Sequence, residues 1–270
     1  MENIPLPSKV AIKNTAPNEA LITVEPCYPG YGMTIGNALR RVLLSSLPGS
    51  AIVAVKITGA THEFSTLSHI KEDVVELILN LKKIRFKLHG VGETKLSLKI
   101  KGEKVVTAKD IKATSEVEII NSEAHIATLT DKSADLEMEL FIDSGRGYLP
   151  VESMEKNKLE LGVIAIDAIF TPIKNVNFNV ENVRVGQITN YDKLTLGIKT
   201  DGTIKPIEAY KFAADILLDH FKFITGNVTE EKKIKEIKIE KVEKTVKVEK
   251  QVEEEEKPKK KRGRPPKKEK

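Results

Sequence analysis

Two stretches at helical spacing, near opposite ends of the chain, carry more apolar surface than a water-facing helix tolerates. In the first, Ile35, Ala38, Leu39, Val42 and Leu43 recur at helical intervals, and Leu44 and Leu47 widen the stripe. The turn-rich stretch Pro26–Gly32 precedes it, Thr34 is the expected N-cap, and Pro48-Gly49 stops it. In the second, Pro206 occupies the first helical position, where its missing N–H costs nothing. Ile207, Tyr210, Ala214, Leu217, Leu218, Phe221 and Ile224 follow on one broad face. Both helices need partners. They can pack inside one protomer's core, or meet across a symmetric dimer that buries them together.

Between them the chain reads as strands. Thr94–Ile100 and Leu136–Ile142 alternate apolar and polar residues, and Ala20–Glu25, Ala51–Thr58 and Val176–Val183 are further strands. Weaker strand signals lie at Glu63–Ser65, Val117–Ile120 and His125–Leu129, and Ile164–Ile173 is apolar and β-branched. A second helix is expected after Ser68, with Ile70, Val74, Leu77, Ile78 and Leu81 inward; Asp143–Pro150 reads as a break. The expected class is α+β: two half-domains at the chain ends and a β-rich middle that could be an insertion. Periodicity alone does not show that the ends join.

Several functions lose their chemistry here. Cys27 is the sole cysteine, so neither an internal disulfide nor a cysteine-rich zinc site can form, which suits a reducing cytoplasm. The five histidines have no i, i+4 pair, and no HExxH, GxSxG, P-loop or GxGxxG occurs. Asp143, Asp167 and Asp192 lie far apart without an acid–base signature, and Gly30 and Gly32 read as turn glycines. No apolar run approaches a membrane span, and the N-terminus has no secretion-signal pattern. Arg40 and Arg41 are more informative: adjacent cations on an otherwise apolar helix are either a solvated edge or a contact to another subunit.

Charge is unevenly placed. The chain carries +5 overall, but residues 1–226 hold 27 basic and 28 acidic groups. Residues 227–256 hold 8 basic and 10 acidic groups in quasi-repeats such as IEK and VEK, the pattern of a flexible charged linker. Residues 257–270, KPKKKRGRPPKKEK, hold 9 basic groups and one acid. The basic character belongs to the tail.

The segment GYGMTIGNALRRVLLSSLPGSAIVAVKI, Gly30–Ile57, closely resembles the alpha-subunit family of bacterial RNA polymerase. Four further blocks match in order: His62–Lys82, Gly145–Glu152 (GRGYLPVE), Ile164–Ala209 and Ala213–Phe221. The resemblance covers residues 1–226. It implies a discontinuous dimerisation domain, 1–47 with 173–226, and an inserted β-rich domain, 48–172. The implied dimer face includes Ile35, Leu39, Val42, Leu43, Leu217, Leu218 and Phe221. Arg40, Arg41, Asn80, Lys82, Arg146 and Tyr148 are matched to beta-subunit contact, and Glu181, Arg184 and Gln187 to beta-prime contact. The implied role is a non-catalytic homodimeric scaffold in a DNA-directed nucleotidyltransferase. No cofactor is expected in this chain, since the catalytic Mg2+ of that polymerase class belongs to its large subunits. The expected location is cytoplasmic and nucleoid-associated, with no membrane partner.

Family members usually continue into a small helical DNA-binding domain, but residues after 226 contain no compact apolar set, so that domain is expected to be absent. Instead Arg262-Gly263-Arg264-Pro265 resembles an AT-hook core, with Lys261 beside it. Glycine permits close approach to a narrow minor groove, proline keeps the backbone extended, and arginines enter its negative potential. Promoter DNA contact, nonspecific nucleic-acid attraction and a partnerless solvated tail all remain open. The alternative for the whole chain is a free-standing dimeric DNA-binding or chromatin-like protein; an independent enzyme would need a pocket of clustered polar groups.

Overall fold

The computed structural model describes residues 4–90, 92–154, 160 and 162–226. In chain order the elements are β1 (Lys9–Ala16), β2 (Glu19–Cys27), α1 (Tyr31–Ser45), β3 (Pro48–Ile57) and α2 (Val74–Leu81). Six strands follow: β4 (Phe86–Leu88), β5 (Thr94–Lys101), β6 (Lys104–Thr107), β7 (Val117–Ile119), β8 (His125–Leu129) and β9 (Asp135–Arg146). Then come β10 (Tyr148–Leu149), β11 (Val163–Ala165), β12 (Ala168–Ile169), β13 (Ile173–Val185) and β14 (Ile188–Thr200). A last helix, α3, occupies the described residues 206–226.

One antiparallel sheet runs β1-β2-β14-β13, and so joins the two ends of the chain. Period-2 alternation turns Ile22, Val24, Leu194, Leu196 and Ile198 to one face, where Leu39 and Leu43 of α1 and Ala209 and Ala213 of α3 cover them. A separate core gathers residues from Ile52 to Ile166 around the sheet β5-β9-β3-β4-β7, with α2 laid over it through Val74, Leu77, Ile78 and Leu81. The β-rich middle is thus an insertion between the two halves of the first sheet. A third, small cluster of Ala51, Ala168 and Phe170 lies apart from both.

Several elements differ from the sequence reading. β1 was not expected: all eight of its residues are exposed, so it has no buried face for a periodicity to mark. Helix α1 starts at Tyr31, not after Thr34; Gly30 takes the N-cap position with φ 84°, and Thr34 Oγ1 instead donates to the Gly30 carbonyl at 3.2 Å. Asp73, not Ser68, caps α2, accepting from the Glu76 N–H at 2.7 Å. Glu63–Ser65 forms no strand. The expected break at Asp143–Pro150 is mostly strand: β9 runs through Arg146 and turns at Gly147, φ 65°. A Cβ on Gly145 would come within 2.7 Å of the Phe170 ring, so that glycine serves packing.

Candidate functional site

Helix α1 organises the residues singled out by sequence. At its start, a Cβ on Gly32 would fall 2.9 Å from Asp192 Cβ, and one on Gly36 would fall 2.8 Å from Leu194 and Phe178. Gly32 is therefore a helix residue that allows the helix to lie close on β13 and β14, not a turn residue. At its other end, a Cβ on Gly147 would stand 3.5 Å from the Ser45 carbonyl. The GRGY turn therefore abuts the end of α1, and Arg40 and Arg41 lie exposed on the last turns between. Fifteen residues make α1 about 22 Å long.

The GRGY turn and α2 are tied together by Asp167. Its carboxylate accepts from Lys82 Nζ at 3.1 Å and from the Val151 N–H at 3.0 Å. The Val151 bond first, and Lys82 second, hold the Asp167 carboxyl below the usual carboxylate range. Tyr148 remains 59% exposed and Arg146 is exposed beside it. Lys82, Tyr148 and Arg146 are thus brought to one region. Asn80 is different: its Nδ2 donates to the Ile126 carbonyl and its Oδ1 accepts from Lys83, each at 3.1 Å, so it ties α2 to β8.

Glu181, Arg184 and Gln187 lie elsewhere, exposed on the β13–β14 hairpin. Arg184 Nε donates to the Gly186 carbonyl at 2.7 Å and Nη2 to Gln187 Oε1 at 3.0 Å, so both side chains brace the turn. Glu181 accepts from Asn179 at 3.2 Å and lies 3.8 Å from Lys193. β14 pairs with β2 only from Asp192 onward, so the tip of the hairpin projects beyond the sheet as a two-stranded ribbon.

Part of the expected dimer face is used within the protomer. Leu39 and Leu43 are 4% and 0% exposed within their own protomer, against the sheet, and have no surface to offer a second copy. Ile35, Val42 and Leu217 are half-buried. Leu218 and Phe221 are 52% and 62% exposed, and Phe223, Ile224, Met33 and Leu44 also present apolar surface. Lys261, Arg262, Gly263, Arg264 and Pro265 lie outside the described residues.

Asp167 and Asp192, read from sequence only as lacking an acid–base signature, hold partners that are remote in sequence. A usable signal was present for Asp192: α1 has glycine where a capping side chain belongs and no acidic residue in its first turn. Among the described residues no helix is long and apolar enough to cross a membrane.

Residues 55–171 match the family described as the RNA polymerase Rpb3/RpoA insert domain. The chain is 51% identical over 217 residues to the DNA-directed RNA polymerase subunit alpha of Clostridium beijerinckii, covering 80% of this chain and 68% of that one. It is 52% identical over 227 residues to the same subunit of Clostridium kluyveri, covering 83% and 70%. The Oceanobacillus iheyensis subunit is 48% identical over 217 residues, covering 80% and 68%.

Proposed function

The chain belongs to the alpha-subunit family of bacterial DNA-directed RNA polymerase, and from that premise we propose that it acts as the homodimeric scaffold on which the beta and beta-prime subunits assemble. It contributes surfaces, not catalytic groups, to a nucleotidyltransferase in the cytoplasm. One observation carries the reading: α1 lies between two separate polar surfaces. The turn at Gly147 abuts its end, and the base of the β13–β14 hairpin holds its start. Arg40, Arg41, Lys82, Arg146 and Tyr148 serve beta on the first; Glu181, Arg184 and Gln187 serve beta-prime on the second, where Arg184 and Gln187 also shape the turn.

The domain boundaries proposed are 1–47 with 173–226, and 48–172. Their support is the separation of the two larger apolar clusters, one built from both chain ends and one from the middle. Dimer contacts are proposed for Leu218 and Phe221, exposed on α3, and for the half-buried Ile35, Val42 and Leu217. The basic segment 257–270 is proposed to hold A·T-rich upstream DNA through Arg262 and Arg264, resting on its sequence and charge alone. Native mass spectrometry of the complex formed with the large subunits tests the assembly role. The expected mass is two copies of this chain with one beta and one beta-prime; a chain that stays free of both large subunits would refute it.

A further inference from the structure

Helix α1 is missing the local machinery that normally closes a helix start. Its N-cap is Gly30, which has no side chain to accept a bond, and its first turn holds no acid. The Tyr31 N–H donates locally to the Tyr28 carbonyl at 2.9 Å, but two others are met from another part of the chain: Asp192 Oδ2 accepts from Gly30 N–H at 2.9 Å and from Gly32 N–H at 3.0 Å. Asp192 is 7% exposed, one of few charged side chains buried among the described residues. Its charge faces the positive end of the helix, the favourable sign for the peptide dipoles. Burial first, and this charge second, push the neighbouring Cys27 thiol up.

The position of Asp192 matters as much as its bonds. It is the first residue at which β14 joins β2, opposite Cys27, and so marks the point where the projecting hairpin leaves the sheet. The preceding residue, Tyr191, meets Tyr28 edge-on with ring centres 6.2 Å apart, and Tyr28 meets Tyr31 of α1 edge-on at 6.0 Å. Gly32 has no Cβ because Asp192 occupies the space. The start of α1 and the base of the hairpin are therefore one packed unit.

We infer that Asp192 is a positioning residue that fixes α1 to the root of the β13–β14 hairpin, so that the arginine-bearing turns and the hairpin are presented in a set relation. The inference rests on the assembly reading for its consequence, since it makes a residue at the hairpin root govern capture of beta through Arg40 and Arg41. A flexible helix start would let the two surfaces vary independently and would weaken binding through the cost of ordering them.

The test compares Asp192→Ala, Asp192→Asn and wild type as full chains. Hydrogen–deuterium exchange of the free protein reads the helix start, and titration with purified beta reads the consequence. Alanine is expected to speed exchange over residues 30–36 about tenfold and to weaken beta binding about tenfold, the scale of a lost helix cap. Asparagine keeps an acceptor oxygen and is expected to stay within about threefold of wild type in both readouts. Wild-type exchange in the alanine variant would overturn the inference whether or not beta binds. Wild-type beta affinity in a folded alanine variant would also overturn it, while leaving the assembly reading intact. Equal losses in the alanine and asparagine variants would overturn the capping role. If wild type itself fails to bind beta, the assembly reading falls, and the exchange data still decide the capping role.

Discussion

Replacing Asp167 by alanine removes one carboxylate that holds α2 and the GRGY turn together. Two donors lose their acceptor: Lys82 Nζ at 3.1 Å and the Val151 N–H at 3.0 Å. The side chains of Lys82 and Asp167 are 26% and 34% exposed, so water screens the ion pair and its loss costs about 0.5 kcal/mol. The Val151 bond is part-buried and ends on a charged acceptor, worth about 1.5 kcal/mol. A total of about 2 kcal/mol lowers the melting temperature by about 4–8 °C for a domain of this size. The effect has a pH signature. The Val151 bond and Lys82 depress the Asp167 carboxyl, so its stabilisation is full above the unfolded value of about 3.9 and is lost as pH falls through the folded value. Urea unfolding followed by circular dichroism should therefore show the full gap between wild type and Asp167→Ala at about pH 7, and a narrower one below about pH 4. A gap under about 0.5 kcal/mol at neutral pH, or one that does not narrow in acid, would refute the reasoning.

Leu43→Ala empties a site that is 0% exposed beneath α1 and should cost about 2–5 kcal/mol in the same urea assay; a change under about 1 kcal/mol would mean that the helix does not pack as described. Arg41→Ala removes an exposed cation and should leave the dimer intact by sedimentation while weakening co-purification of beta; wild-type recovery of beta would count against its assignment. Truncation to residues 1–256 removes 9 basic groups and should shorten promoter-complex lifetime on A·T-rich upstream DNA, with the difference shrinking as salt rises. Equal lifetimes at every salt concentration would refute the DNA contact.

Some of this was legible before any coordinates. Clean alternation at Thr94–Ile100 and Leu136–Ile142 marked β5 and β9 because one face of each is buried. Pro206 marked the start of α3, since proline is pre-set for a first helical turn. β1 left no such trace: its order comes from pairing with β2, not from burial of one face. The broad apolar stripe of α1 identified a helix that needs partners, but could not divide them. The structure assigns Leu39 and Leu43 to the protomer's own sheet and leaves Met33 and Leu44 outside.

The sequence by itself determined the family, because five blocks in fixed order specify it, and it determined where the charge lies. Tertiary structure alone decided which side chains act together. Asp192 reaches Gly30 across 162 residues, and Asp167 reaches Lys82 across 85. Neither pairing has a local spacing to detect, because each is made by strands and helices that meet only once the two ends of the chain close into one sheet around the insertion.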